Sequence, residues 1–387
     1  MPDGGEEFTV KRHRAIDAVG ADAWDACAGG GDPFLSYAFL EALEASGSAI
    51  ADTGWQPQHL ALEDSTGRIL GVAPLYLKNH SYGEYVFDHG WAAAYEHAGG
   101  HYYPKLQCAV PFTPVTGRRL LLHPEAPSGA AAALIAGMVA LARRHKVSSL
   151  HVTFPIEAEW NAFGAAGFLQ RIGQQFHWEN DGYRSFDDFL AALNSRKRKQ
   201  IRRERRDAIE GNGIEIEMLT GDALKEQHWD VFYRFYTSTS DRKWGSAYLN
   251  REFFSLIGKR IPDRVLLVMA KKDGRYVAGA LNLIGTDTLY GRNWGCLGDY
   301  PFLHFEACYY RAIDFAIERG LTRVEAGAQG QHKIQRGYLP SPTYSAHWLK
   351  DPNFAEAVAD YLRRERRAIE HNMAELEDEL SPFKVSA

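Results

Sequence analysis

The chain has 387 residues, of which 45% are hydrophobic and 24% charged, and its formal net charge is −5. That length exceeds an ordinary single domain, so two domains with separate cores are expected, and the composition excludes disordered and fibrous classes. The four cysteines, Cys27, Cys108, Cys296 and Cys308, form no C-x-x-C pair, which argues against a disulfide framework and a zinc knuckle.

From Met1 to Ala15 acids and bases are mixed, which leaves no apolar core for a secretory leader. Strand signals follow in "HLALEDSTGRILGVAPLYLKNHSYGEYVFDHG": an apolar strand, a turn at Gly67, a second apolar strand, and a third carrying Tyr82-Gly83. Trp91 to Ser128 is rich in aromatics and prolines ("HYYPKL", "VPFTPV"), which suits an ordered loop lining a groove better than a linker. His89, His97 and His101 come without an H-E-x-x-H or carboxylate pattern, so no metal site is expected. The next helix is "GAAAALIAGMVALARRH". Its apolar stretch, Gly129 to Ala142, falls short of the ~20 residues that span a bilayer, so it reads as a buried helix and no transmembrane segment is expected. "SLHVTF" and "EAEWNAFGAAGF" complete a β-β-β-α-β-α order.

"SFDDFLAALNSRKRKQIRRERRDAIEGNG" reads as a helix stopped by Gly211. Between Arg196 and Glu210 eight cations (Arg196, Lys197, Arg198, Lys199, Arg202, Arg203, Arg205, Arg206) face three acids, so the rest of the chain sums to −10. Leu193, Ile201 and Ala208 make a narrow apolar seam, and most of the helix therefore faces solvent or an anionic partner. A second copy follows. "VLLVMAKKDGRYVAGALNLIGTDTLYGRNWG" gives three strands, with a turn at Asp273-Gly274 and the third strand through Tyr290-Gly291. "HFEACYYRAIDFAIERG", "RVEAGA" and "QHKIQRGY" repeat helix, strand and final helix. Phe354 to Leu380 reads as a charged amphipathic helix suited to packing or to a homo-oligomer.

This tandem, with its basic helix and its "HK..RGY" turn, resembles the FemAB-like branch of the GNAT acyltransferase superfamily, proteins described as peptidoglycan biosynthesis or recognition proteins. "PFLSYAFLEALEASG", "YYPKL", "RKWGSAYLNREFF" and "LHFEACYY" carry the likeness over nearly the whole chain. The resemblance implies an α/β (α+β) fold of two tandem GNAT-like domains with mixed sheets flanked by helices. On this reading residues 1–180 form the first domain, with an aromatic insert at 91–128. A basic helical connector occupies 181–213, the second and catalytic domain 214–350, and a C-terminal helix 351–387. The resemblance also implies transfer of an acyl or aminoacyl group to an amine on a peptide or cell-wall precursor, with aminoacyl-tRNA or acyl-CoA as co-substrate; the few scattered cysteines, read on their own, fit a reducing cytoplasm. The alternatives are an acyl-CoA-dependent GNAT N-acyltransferase and a non-catalytic protein that binds an anionic glycan precursor or RNA.

Amide formation needs a neutral amine, a stabilised oxyanion and a held donor. The turn "GAQGQHK" offers Gln329, Gln331, His332 and Lys333, with Arg336 and Tyr338 just beyond. In the family a lysine precedes the Gly-aromatic pair; here Arg336 directly precedes Gly337-Tyr338 while Lys333 stands further back, so either cation is a candidate. His304 and Glu306 open the helix "HFEACYYRAIDF", immediately after the strand "TLYGRNWG" and the loop "CLGDYPFL", and are the candidate bases, with Asp299 and Glu325 as weaker candidates. Acceptor contacts are expected from Arg242, Lys243, Trp244 and Tyr248, and from Lys78, Tyr82, Glu84 and Tyr85. Phosphate or nucleic-acid contacts are expected from Arg196, Arg198, Lys199, Arg202, Arg203, Arg205 and Arg206. The Q/R-x-x-G-x-G/A cradle of CoA-using GNAT enzymes is absent from "GCLGDYPFLHFE", which weighs against CoA. No dinucleotide fingerprint or P-loop lysine is present.

Overall fold

A computed structural model describes residues 8–243, 247–327 and 330–384, the side chains of 240–243 excepted. Two compact units divide the chain, and each is assembled from two stretches: Met1–Gly173 with Pro342–Glu370, and Gln174–Ser341 with His371–Ala387. In chain order the first stretch holds β1 (Thr9–His13), α1 (Ala21–Ala28), α2 (Tyr37–Ala45), β2 (Trp55–Pro57), β3 (His59–Glu63), β4 (Ile69–Ala73), β5 (Leu75–Lys78), α3 (His89–His97), β6 (Lys105–Cys108), β7 (Leu121–Leu122), α4 (Ala130–His145), β8 (Ser149–Thr153) and α5 (Glu157–Ala165). β9 (Leu169–Glu179) leads into the second stretch, with α6 (Phe186–Ala192), α7 (Ser195–Arg206), a π turn (Asp207–Gly211), β10 (Ile214–Leu219), α8 (Glu226–Lys243), α9 (Arg251–Arg260), β11 (Val265–Lys272), β12 (Arg275–Ile284) and β13 (Thr288–Cys296). Then come α10 (Leu303–Phe305), a second π turn (Glu306–Tyr310), α11 (Arg311–Glu318), β14 (Arg323–Glu325), a 3-10 turn (Gln331–Arg336), β15 (Leu339–Leu349) and α12 (Pro352–Leu380).

In the first unit β1, β3, β4 and β7 make one antiparallel sheet, and β2, β5, β6, β8 and β15 line up in a second. Within the latter β6 and β8 run parallel, with Leu106 opposite Leu150 and Cys108 opposite Val152. α4 connects them, burying Leu134, Ile135, Met138 and Leu141 against the sheet at helical spacing. The second unit orders its strands β10-β11-β12-β13-β14-β9. β13 and β14 are its parallel pair, from Thr288 opposite Arg323 to Tyr290 opposite Glu325, connected through α10 and α11. The turn from β11 to β12 is the Asp-Gly hairpin that the sequence announces: Asp273 and Gly274 both adopt positive φ, 49° and 72°, as a two-residue hairpin of this type demands.

Several expectations need correction. Tyr82-Gly83 is not in a strand; the third strand of the first copy is β6, inside the segment expected to be an insert. Its Lys105 is fully buried, so the strand lacks an apolar alternation. The 181–213 connector is part of the second unit, because Phe189, Leu190, Leu193 and Ile201 belong to that unit's core with Tyr310, Ile313 and Tyr338. α12 is not a separate appendage: Val358 and Leu362 pack in the first unit, and Leu376 packs in the second. In the second copy the final helix is a six-residue 3-10 turn. No described helix is long and apolar enough to cross a membrane.

Candidate active site

Beyond Tyr290 and Glu325 the parallel strands of the second unit stop pairing among the described residues. Two glycines shape the split. At Gly291 a Cβ would press within 3.2 Å of the Glu325 carbonyl oxygen, and Gly327 takes a positive φ of 79°. On the other side of β13, Leu281 faces Asn293 and Asn282 faces Gly291, so Arg292 is an extra residue, a β-bulge that re-aims the strand as it leaves its partner. A small recess opens there, lined by Asn282, Gly291, Trp294, His304, Cys308 and Tyr309.

Lys333 comes to the split from the 3-10 turn. It is almost fully buried, and its Nζ donates to the Gly327 carbonyl at 2.7 Å. Burial pushes its ammonium down to about 7, with the neighbouring Cys308 working in the opposite direction. The exposed His332 accepts or donates at 3.0 Å to the Tyr309 hydroxyl. His304 packs edge-on to Tyr309 and to Trp294, 5.2 and 5.4 Å between centroids. Behind this layer Glu325 lies 3.9 Å from His177, whose imidazole burial pushes down to about 3.

The other proposed cations and acids of this region serve different ends. Arg336 is buried, its Nη2 donating to both carboxylate oxygens of Glu204 at 2.9 and 3.0 Å, and its guanidinium stacks on the Phe305 ring at 3.4 Å. Glu306 is fully buried and held by Arg205 and Arg311, so it has no face toward a substrate. Tyr338 is a core residue whose hydroxyl donates to the Tyr309 carbonyl. Gln331 is exposed beside the turn; Gln329 and Trp244 fall outside the described residues, as do the side chains of Arg242 and Lys243. Tyr248 is half-buried in the loop before α9. Asp299 sits exposed on the loop after β13.

Along α7, Asn194 caps the first turn by accepting from Lys197 N. Arg196, Lys199, Arg202, Arg203 and Arg206 are exposed and Arg198 half-buried, with Arg202 near Asp187 and Arg203 and Arg206 near Asp207. Such solvated pairs are weak. Arg205 is different: it points inward to Glu306 and Asp314 and lies over the Phe186 ring, so it belongs to the scaffold rather than to an anion surface.

The first unit has the corresponding parallel pair, β6 and β8, but its split is filled. The buried Arg119 donates through Nε to Thr153 O and through Nη2 to Val115 O, both at 2.9 Å, while its backbone N–H and that of Leu120 are held by Glu159. Lys78 and Glu84 do not line a cleft either. Lys78 is completely buried with its Nζ 3.6 Å above the Trp55 ring, and burial pushes it down to about 6. Glu84, pushed up to about 7 by burial, shares Lys105 with Asp88. Tyr82 is exposed on the loop above them and Tyr85 half-buried. Sequence reasoning missed Asn282, Trp294, Cys308 and Tyr309, which only the pairing of β12 with β13 and the packing of the second π turn bring to one recess.

Comparison with solved structures gives matches over most of the chain. FemX aligns with a TM-score of 0.54 at 14% identity, covering 91% of this chain and all of FemX. L-PGS from Bacillus licheniformis aligns at 0.51 and 10% identity, covering 86% of this chain and 98% of that one. A conserved protein of unknown function from Bacteroides thetaiotaomicron aligns at 0.54 and 12% identity, covering 88% and 100%. At these identities the likeness establishes the fold. No curated protein matches the sequence significantly. The family model for FemAB-like proteins, described as peptidoglycan biosynthesis/recognition, matches residues 15–385. With that match over nearly its full length, and with two GNAT-like units of mixed sheet and flanking helices, the chain belongs to the FemAB-like family.

Proposed function

We propose that this protein transfers an aminoacyl or acyl group to an amine of a peptide or cell-wall precursor, and that the chemistry takes place at the β13/β14 split of the second unit. The observation that carries this reading is Lys333: a buried lysine near neutrality, anchored on the Gly327 carbonyl where two parallel strands separate. The amine nitrogen attacks the acyl carbonyl carbon, the carbonyl oxygen becomes an oxyanion, and the C–N bond replaces the bond to the leaving oxygen or sulfur. Lys333 in its charged form supplies the donor to that oxyanion, a contribution typically worth about 10²- to 10³-fold in rate. Its depressed affinity for a proton also lets the neutral form take the proton that the attacking amine must lose, and that proton then passes to the departing oxygen or sulfur, which leaves as the alcohol or thiol. The first unit, its own split closed by Arg119, serves as scaffold.

For the donor, aminoacyl-tRNA fits the exposed face of α7, where Arg196, Arg198, Lys199, Arg202, Arg203 and Arg206 meet solvent. An acyl-CoA donor is the second reading, suggested by the GNAT-like sheet and opposed by the missing glycine-rich cradle before α10. Binding of the purified protein to bulk charged tRNA and to acetyl-CoA, each at two salt concentrations, separates them. Submicromolar tRNA binding that weakens steeply with salt is expected, because neutralised phosphates release counterions. Acetyl-CoA binding without tRNA binding would overturn the tRNA assignment, and binding to tRNA with no transfer to any amine would favour a non-catalytic RNA-binding role.

A further inference from the structure

Helix α7 is basic, yet it turns one acid inward. Glu204 is 4% exposed, and it accepts from Arg336 Nη2 at 2.9 and 3.0 Å, from Gln200 Nε2 at 2.9 Å and from the Tyr310 hydroxyl. Burying such a pair seldom stabilises a protein relative to well-packed apolar residues, since desolvation consumes the Coulombic gain. Its geometry is therefore more informative than its energy. The second terminal nitrogen of Arg336, Nη1, donates to the His332 carbonyl at 2.7 Å, and about two turns earlier on α7 Lys197 Nζ donates to Gln335 Oε1 at 2.9 Å. The 331–336 turn is thus tied to α7 at both Gln335 and Arg336. A 3-10 turn has poorer internal hydrogen bonding than an α-helix, and its residues i and i+3 lie on one edge. Arg336 is three residues beyond Lys333, so fixing Arg336 fixes the edge from which Lys333 reaches Gly327.

We propose that Glu204 is a positioning residue: through Arg336 it holds the 331–336 turn in the register that sets the Lys333 amine at the β13/β14 split. This rests on the reading of Lys333 as the working group. Lys333 faces Cys308 on the π turn, with His332 and Arg336 on its own turn and the His177–Glu325 pair on β9 and β14. Neither Glu204 nor Arg336 has to touch substrate. Both act on the turn.

The test is competitive labelling of the Lys333 amine with acetic anhydride across pH, read by mass spectrometry, on the full chain. Glu204→Gln alone would leave a buried guanidinium unpaired and is expected to unfold the protein. The informative variant replaces both partners, Glu204→Leu with Arg336→Met, so that no charge is stranded. Glu204→Asp, which keeps the charge and withdraws the carboxylate by one methylene, is the second. In the wild type the labelling midpoint is expected near 7. In the folded double variant it should move up toward the ordinary lysine value of ~10 as the turn loosens and the amine meets water, and Glu204→Asp should lie between. A midpoint unchanged in whichever of these variants folds would overturn the proposal. Activity separates the two claims. If the midpoint moves but Lys333→Met leaves transfer intact, the positioning role stands and the reading of Lys333 falls; if transfer needs Lys333 and the midpoint stays, the reverse holds. For transfer itself, the double variant is expected to lose about 10²-fold in kcat with little change in KM for the donor, the scale of a ~1 Å misplacement.

Discussion

Replacing Lys333 by Met should make the protein more stable, and by an amount that depends on pH. Burial lowers the lysine from its ordinary 10.5 to about 7, a difference of roughly 5 kcal/mol between the charged and neutral forms at ~1.4 kcal/mol per unit. Below pH 7 the amine is charged in both folded and unfolded chains, so the folded state bears the whole cost of a buried ammonium. Between 7 and 10.5 the unfolded chain binds the extra proton, and wild-type stability rises with pH. Methionine has a similar reach and no such cost, although it forfeits the bond to Gly327, about 1 kcal/mol. The net expectation is a variant about 4 kcal/mol more stable at pH 6, equal to roughly 8–16 °C in the melting temperature of a unit this size, with the gap closing as pH rises to 10. Differential scanning calorimetry of both proteins at pH 6, 8 and 9.5 measures it. A gap independent of pH, or a variant less stable at pH 6, would refute the argument that Lys333 is a buried, depressed lysine held at a cost to stability, as functional groups often are.

A second pH window belongs to histidine. Burial lowers His177 to about 3, so its neutral folded form contributes stability that is lost as pH falls from 6.5 toward 3; His177→Gln should flatten the acid limb of the melting curve of the second unit by up to ~1.4 kcal/mol per pH unit, and an unchanged slope would contradict the assignment. Reversing Arg202, Arg203 and Arg206 to Glu should abolish salt-sensitive polyanion binding with little change in melting temperature, whereas Arg205→Ala should cost roughly 1–3 kcal/mol by removing a partner of the buried Glu306, which denaturant titration detects. Cys308 is half-buried while Cys27, Cys108 and Cys296 are buried, and burial raises Cys27 to about 11; iodoacetamide at pH 8 should therefore alkylate Cys308 first and block transfer, as peptide mapping with a parallel activity assay would show.

Local chemistry was legible where it is self-contained. The Asp273-Gly274 hairpin follows from two residues that tolerate positive φ, and the end of the basic segment follows from Gly211, but the single helix expected there is broken at the extended Leu193 and Asn194 into α6 and α7, with Asn194 capping the second. Long-range burial was not. Lys105 makes the strand Lys105–Cys108 look like loop, because the carboxylates that admit a buried lysine, Glu84 and Asp88, sit about twenty residues away in sequence. The Tyr-Gly pair at 82–83 copies the one at 290–291 in letters and not in conformation: only the second lies in a strand. At the site, Lys333 and Arg336 were equivalent as letters in one turn. The fold separates them, since one lysine reaches a backbone carbonyl at the strand split while the arginine is taken up by an acid 132 residues earlier. Nothing in α7 itself marks Glu204 as inward and Arg205 as structural except their place beside the seam of Ile201 and Ala208.

The most direct measurement is transfer of radiolabel from charged tRNA, and in parallel from acetyl-CoA, to an amine-containing cell-wall precursor fraction, by wild type and by Lys333→Met. The expected result is label on the acceptor from the charged tRNA with the wild type, and a loss of about 10²- to 10³-fold with the variant although it melts no lower. Transfer by the variant at the wild-type rate, or no transfer from either donor by the wild type, would contradict it.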